Sequence, residues 1–424
     1  MRQMAFIIAS AMLCALLALT GCQAADAPSA SSAPSAAPPA SGPAEQEAAP
    51  VELTLFSKGG IGPPGVTTEN GFYELAVTGT LARNILYTDF ATGTRVFLCN
   101  RPECTHRDAS CTSYVPGATY LFPMDGKIGI LQEEHSASAD DRRAHVYSVN
   151  YDGSGRTELF ALDPLVSIQG GMATDGAYFY FIAAIQNEET ASYSNELVRI
   201  DLADGSMTSI QTYDQAPLLV DVIGDRLILE TAEETPEAVV YQFFTVRVTD
   251  GEETTFFESL YEPFSLNGTV YAVDPQADVL YAAQVDGTVK ELPLTIDLPE
   301  DAYITSAGDE PSPQGYVMLT AYKNGEGQRY LIDAETGEGM LSTLTYEWYD
   351  GTLRPIYLLT QTGERLLVTY QSGLANMEYI EEDGRQSVRE TIRSDYAFLA
   401  MEDYLSNTPN YTPIEDMLSA VFEA

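Results

Sequence analysis

The chain has 424 residues, 45% of them hydrophobic and 20% charged, which is enough apolar content for one large all-β domain or two ordinary ones and excludes a chain disordered throughout. Against 21 lysines and arginines stand 62 aspartates and glutamates, a formal net charge of −41. Such a field repels phosphate backbones and anionic lipid head groups, so no nucleic-acid partner is expected; its plainest role is to keep a surface protein soluble.

Residues 1–21 read as a signal peptide. Arg2 precedes the apolar run MAFIIASAMLCALLALTGC, which is too short and wrongly flanked for a spanning helix. The run ends in Leu19-Thr20-Gly21-Cys22 and resembles the bacterial lipobox. That resemblance implies that Cys22 is lipidated, becomes the new N-terminus and anchors the protein in the cell membrane, facing the extracytoplasmic side; two acyl chains hold stably where one does not. The other reading is an ordinary secretory signal cut elsewhere. Residues 22–50 are then the lipidated cysteine and a linker of alanine, proline and serine with no aromatic or large aliphatic side chain, which cannot drive folding.

Residues 51–424 consist of short runs of Tyr, Val, Ile, Leu, Phe and Thr separated by Asp-Gly, Asn-Gly or Thr-Gly pairs, which suit the positive φ angles of tight hairpins. One set of turns falls at Gly93, Gly153, Gly205, Gly251, Gly287, Gly337 and Gly384; a second set, at Gly71, Gly126, Gly176, Gly224, Gly268, Gly315 and Gly363, interleaves with it. Two phased turn families repeating every ~50 residues describe a unit of four strands, a to d, with a variable loop between b and c. Seven units predict an all-β, seven-bladed β-propeller of four-stranded antiparallel blades. A six- or eight-bladed ring, or two packed sandwiches, are the alternatives.

Blade 1 has a weak first strand, so either VELTLF near residue 51 or SDYAFLAMEDYL before the tail is expected to close the ring by pairing across the termini. The tail TPIEDMLSAVFEA reads as a short helix, with Thr412 as N-cap before Pro413 and apolar residues at helical spacing. The longest b-to-c loops are QEEHSASADDRRAH, IQNEETASYSNE and ETAEETPEA, in blades 2, 3 and 4.

LYTDFATG and LVRIDLADG resemble the strand-and-turn units of TolB-like and YWTD-type propellers. FLCNRPECTHRDASC together with FLAMEDYLSNTPNYTPI resembles lipoproteins of anaerobic Gram-positive bacteria that carry a propeller-like domain. The single tryptophan, Trp348, sets the chain apart from WD repeats. The resemblance implies a fold and an address, and no activity.

LCNRPECTHRDASC, at 98–111, holds the three cysteines that remain once Cys14 leaves with the signal peptide and Cys22 is lipidated. Cys99, Cys104, His106 and Cys111 offer three sulfurs and a nitrogen, the ligand set of a closed tetrahedral site for one structural zinc. The C-x4-C-x-H-x4-C spacing is wider than the usual zinc knuckle, and an exported chain meets oxidants, so one disulfide with a leftover thiol stands beside the metal, as do three reduced cysteines. In either stapled case the cluster fixes a loop between strand d of blade 1 and strand a of blade 2. That loop and the long loops of blades 2 to 4 are expected to share one rim, the place for a partner.

No G-x-S-x-G, H-E-x-x-H, P-loop or EF-hand pattern occurs. His135 and His145 flank the acidic loop of blade 2. The adjacent pairs Glu133-Glu134, Glu188-Glu189, Glu233-Glu234 and Glu252-Glu253 point apart on an extended chain and make poor acid/base pairs. The expected function is therefore non-catalytic binding of a protein, peptide or glycan. The alternatives are a carbohydrate-active hydrolase or lyase that uses carboxylates on the propeller face, and a structural envelope protein.

Overall fold

The computed structural model describes residues 51–58, 65–77, 83–135, 140–236, 238–296, 298, 303–306, 311–323, 326–380 and 385–417. Cys22, the expected signal peptide and the expected linker lie outside them, and the described residues fall within one compact unit. A first strand, β1 (Thr54–Ser57), precedes the ring. Blade 1 is β2 (Gly65–Thr67), β3 (Gly71–Val77), β4 (Arg83–Asp89) and β5 (Thr94–Phe97). Blade 2 is β6 (Ala118–Met124), β7 (Lys127–Gln132), β8 (His145–Asn150) and β9 (Thr157–Ala161); blade 3 is β10 (Val166–Thr174), β11 (Tyr178–Asn187), β12 (Ser192–Asp201) and β13 (Met207–Tyr213). Blade 4 is β14 (Leu218–Ile223), β15 (Arg226–Glu234), β16 (Val239–Arg247) and β17 (Glu253–Ser259); blade 5 is β18 (Pro263–Leu266), β19 (Thr269–Asp274), β20 (Val279–Gln284) and β21 (Val289–Pro293). Blade 6 is β22 (Tyr303–Ser306), β23 (Tyr316–Lys323), β24 (Glu326–Asp333) and β25 (Gly339–Ser342), followed by a small ribbon, β26 (Thr345–Glu347) with β27 (Leu353–Pro355). Blade 7 is β28 (Tyr357–Thr362), β29 (Arg365–Ile380), β30 (Gln386–Ala400) and, after helix α1 (Met401–Leu405), β31 (Thr412–Pro413); β32 (Glu415–Asp416) ends the described chain.

Each sheet is apolar on both faces, because each must pack against two neighbours. In β11, Phe179 and Phe181 face blade 2 while Tyr180 and Ile182 face blade 4, the period-2 alternation of a strand. Seven such cores fill seven seams, the last joining Phe72 and Phe90 of blade 1 to Leu359, Leu367 and Phe398 of blade 7. The chain is a seven-bladed β-propeller of four-stranded antiparallel blades.

The c-to-d turns explain part of the acidic composition. Asp89, Asp152, Asp201, Asp250, Asp286 and Asp333 each accept a backbone N–H two residues on, at 2.8–3.1 Å, and so supply the turn with an acceptor that the ladder lacks. Hydrogen bonds from the N–H groups of Thr92, Glu252, Thr288 and Thr336 hold the carboxyls of Asp89, Asp250, Asp286 and Asp333 below their ordinary range.

Three expectations from the sequence are corrected. Gly384 lies outside the described residues, but the strands that flank it in the chain, β29 and β30, are b and c of blade 7 and not c and d, and the c-to-d link there contains α1. VELTLF does not close blade 1: β1 lies along the inner edge of blade 3, with Thr54 opposite Thr174 and Ser57 opposite Met172. SDYAFLA is strand c of blade 7 and MEDYL is α1, while residues 412–413 and 415–416, expected as helix, are strand. Pro413 pairs with Ala397 of blade 7, and Glu415 pairs in parallel with Thr94 of blade 1. Side-chain packing won over local helical spacing: Ile414 lies in the apolar core of that seam. The remainder of the expected tail helix, 418–424, lies outside the described residues.

The inner position of β1 depends on Gly171, where a Cβ would come within 2.0 Å of the Leu219 carbonyl and 2.8 Å of the Ser57 carbonyl. Phe56 then stacks on Phe122 at 4.9 Å and sits 5.5 Å from Phe179. Phe56→Ala is expected to lower the unfolding free energy by about 3–5 kcal/mol in denaturant titration, the usual loss for a buried phenylalanine; a change within experimental error would mean that β1 does not pack between blades 2 and 3.

Candidate metal centre

Strand d of blade 1 is short. β5 pairs with the second half of β4, Phe97 opposite Leu86, and the Leu98 N–H then donates to the Ile85 carbonyl at 2.9 Å. There the chain leaves the sheet. It returns at Ser113, whose carbonyl accepts the Ile85 N–H at 2.8 Å, and Tyr114 pairs antiparallel with Asn84. Residues 99–112 are thus a loop closed at its base on Ile85, between strand d of blade 1 and strand a of blade 2, where the sequence placed it.

Within this loop the ligand atoms of Cys99, Cys104, His106 and Cys111 all lie within 4.8 Å of one another. Around a zinc with bonds of about 2.3 Å to sulfur, tetrahedral ligands sit roughly 3.8 Å apart, so the group needs to close by only about 1 Å. The three cysteines are free thiols. Among the described residues this is the one convergence of three or more metal-type side chains.

The surroundings fix the ligands. His106 has a φ of 58°, unusual for a residue with a Cβ, and its ring stacks on Phe97 at 4.3 Å and 11°. Asn84, fully buried on β4, donates to the His106 carbonyl and to the Ser113 hydroxyl, both at 3.0 Å. The His106 Nδ1 lies 3.3 Å from Cys111 Sγ, which also meets the Ser113 hydroxyl at 3.1 Å. Arg101 donates to Cys104 Sγ at 3.3 Å and to the Ser110 hydroxyl at 3.1 Å. From blade 2, Arg156 gathers the carbonyls of Ala109, Cys111, Thr112 and Tyr114. Nothing in the sequence links Arg156 to the cluster, since the contact is made across a seam.

Electrostatics favour ligation. Burial and the charge of Arg101 lower the His106 pKa, which leaves a neutral imidazole with a lone pair at neutral pH. Burial raises the Cys104 thiol, but hydrogen bonds from Arg101, the His106 backbone and the neighbouring thiols outweigh it, and its pKa is lowered. Burial pushes Cys111 up to about 11. Three thiolates on one divalent cation leave one negative charge, and the Arg101 guanidinium stands beside it.

The expected rim assembles in part. The base of the blade 2 loop is tied to blade 1 by the Arg83–Glu134 ion pair at 2.9 Å and by the Glu134 N–H on the Gly117 carbonyl. In blades 3 and 4 the supposed loops are extended hairpins with short turns after Asn187 and Glu234, and the longest b-to-c extension, β29–β30, is in blade 7. His145 is held by Glu158 at 2.9 Å and Asp141 at 3.5 Å, with His135 edge-on at 6.1 Å. Of the paired carboxylates, Glu252 lies between Arg226 and Arg247, and Glu133 accepts from Thr119.

One carboxylate that the sequence did not single out stands near the end of β1. Burial pushes Glu230 up to about 7, with Lys58 opposing and Glu262 adding to the rise. Lys58 itself donates to the Ser265 carbonyl at 3.0 Å, and burial lowers its pKa.

No family model matches the sequence, and no curated protein matches it. Among solved structures, an acylaminoacyl peptidase in complex with Z-Gly-Gly-Phe-chloromethyl ketone is 12% identical, with a TM-score of 0.46 over 80% of this chain and 52% of its own. The β-propeller domain of the trilobed protease from Pyrococcus furiosus, described as having an open velcro topology, is 10% identical, with a TM-score of 0.43 over 86% of this chain and 99% of its own. TolB from Acinetobacter baumannii is 13% identical, with a TM-score of 0.30 over 63% of this chain and 64% of its own. The chain spans about half the length of the acylaminoacyl peptidases it matches.

In metal-stripped, reduced protein, iodoacetamide at neutral pH is expected to alkylate Cys104 well before Cys111, and Cys111 to react only as the pH approaches its pKa of about 11. Peptide mapping against time gives the order, and equal rates at pH 7 would mean that the loop does not hold its thiols in this arrangement.

Proposed function

We propose that the chain is a membrane-anchored, extracytoplasmic binding protein whose propeller carries a zinc-stapled loop on the seam between blades 1 and 2. A protein, peptide or glycan is taken by the neighbouring rim. The observation that carries this reading is the convergence of Cys99, Cys104, His106 and Cys111 on one loop, with Arg101, Asn84 and Ser113 supporting them. A closed four-ligand set has no open position for substrate, so the metal is read as structural, contributing folding energy to the loop. The anchor rests on Leu19-Thr20-Gly21-Cys22; no helix among the described residues is long and apolar enough to cross a membrane.

Both parts can be read on one preparation. The full chain, purified from membranes of a Gram-positive host grown with labelled palmitate, is expected to carry label and about one zinc per chain. Cys22→Ser should abolish the label and release the protein to the medium. Cys104→Ser with His106→Ala should lose the zinc and leave the label. A chain with no metal and a single alkylatable thiol would replace the zinc by a disulfide staple.

A second reading, a carbohydrate-active enzyme, is favoured by Glu230. A carboxyl with a pKa of about 7 beside a second carboxylate, Glu262, suits a general acid. Its mark would be glycan cleavage that falls as pH rises through about 7, where the proton is lost, and that vanishes in Glu230→Gln. A buried structural carboxyl would give no cleavage, and Glu230→Gln would then stabilise the protein at pH 8 but not at pH 4, because a raised pKa contributes stability only below it.

A further inference from the structure

The seam between blades 7 and 1 contains a cavity of about 230 Å³ that is distant in sequence from the metal loop and depends on nothing proposed for it. One water needs roughly 10–15 Å³ on this measure, so the space is that of a small organic molecule. Its lining is Arg95, Tyr370, Arg393, Asp395, Tyr396 and Asp416, with Ile414 as the apolar wall. Blade 1, blade 7 and the tail strand β32 all contribute, so the cavity is complete only when the tail is docked.

The charges in this lining are already balanced. Arg393 Nε lies 3.1 Å from Asp395, and Arg393 Nη2 lies 3.3 Å from Asp416. Arg95 lies 2.9 Å from Glu74 through Nε and 3.8 Å from Asp416 through Nη1, and Nη1 also donates to the Ser394 carbonyl at 3.2 Å. A carboxylate or phosphate entering here would meet Asp395 and Asp416 as well as the guanidiniums, inside a chain of net charge −41. A neutral ligand meets no such opposition. Each guanidinium has five N–H donors and each carboxylate about four acceptor sites, so an ion pair still offers donors and acceptors side by side. Vicinal hydroxyls, each both donor and acceptor, match that arrangement. Beside them stands an apolar face: the Tyr370 ring, half-buried and braced by Tyr411 at 5.4 Å between centroids. A sugar ring presents these two aspects, hydroxyls at its edge and C–H groups on its face.

We propose that this cavity is a binding subsite for one neutral sugar residue of a glycan, its hydroxyls shared among Arg393, Asp395, Arg95 and Asp416 and its ring against Tyr370. The tail strand that closes the ring would thereby also build the ligand site.

The test is calorimetric titration of the full chain with glucose, galactose, mannose and N-acetylglucosamine, beside glucuronate, glycine and glutamate. At least one neutral sugar is expected to bind saturably with a Kd on the order of 1 mM, and more tightly than glucuronate or the amino acids. Tyr370→Ala is expected to weaken it about tenfold, the usual worth of an aromatic contact, and Arg393→Met to weaken it comparably. Asp395→Asn, which keeps the side-chain shape, replaces Arg393→Met if that variant melts early. Three results would each overturn the proposal: no neutral sugar binding up to about 100 mM, preference for the uronate or an amino acid, or an affinity for the sugar unchanged in every variant.

Discussion

Closure of the ring depends on a buried ion pair. Six seams of this propeller join blades that follow one another along the chain, but the seventh must bring blade 1 to blade 7. There, Arg95 of β5 and Glu74 of β3 pair within blade 1 at 2.9 Å, and blade 7 docks on the pair through Tyr396, whose ring lies 4.0 Å under the guanidinium and whose hydroxyl donates to Glu74 at 2.7 Å. Both side chains of the pair are about nine-tenths buried. Desolvating two charges is expensive and a hydrophobic pair of the same volume would often be as stable, so the pair is better read as fixing which surfaces meet. Around it, Thr67 and Thr360 share a hydrogen bond at 2.6 Å near the axis, and Arg365 reaches the Phe90 carbonyl at 3.0 Å. Asp416 adds the tail to the same network.

The acidic excess has two different physical meanings in this chain. At the turns, aspartates are backbone partners: their oxygens take the N–H groups that a two-strand ladder leaves over, and their lowered pKa values follow from those bonds. Elsewhere the carboxylates answer cations across the fold, as Glu134 answers Arg83 and Glu252 answers Arg226 and Arg247. Composition alone shows only a repulsive field. The structure divides it into turn formers, seam fasteners and solvated charge.

What was legible in the sequence was what local chemistry dictates. Six of the seven a-to-b glycines and six of the seven c-to-d glycines have the positive φ that a tight hairpin needs whatever its surroundings, while Gly71 opens β3 instead. The Asp-Gly pair at Gly384, outside the described residues, misled the count of strands because such a pair does not say which hairpin it belongs to: the strands that flank it, β29 and β30, are b and c of blade 7. The Cys/His loop was legible as a ligand set, since all four residues lie within one short stretch. Its supports were not: Asn84 and Arg156 reach it from other strands, and no spacing rule connects them. Glu230 was missed likewise, because its raised pKa arises from burial in the folded chain, with Glu262 adding to the rise from a distant segment.

The two ends of the folded unit are secured at opposite radii, and this has a consequence for the order of folding. β1 can pair only when β10 exists, and the Leu53 N–H finds its acceptor on Gly224, in the first turn of blade 4. β1 therefore waits unpaired until about a third of residues 51–424 have been made, and Leu53 for its Gly224 partner until nearly half have. At the other end, Glu415 and Asp416 join blade 1 only after the strands of all seven blades that precede them have been synthesised. A ring assembled blade by blade would thus acquire its axial strand midway and its outer clasp last, with VELTLF exposed to chaperones, or to a neighbouring nascent chain, in the interval.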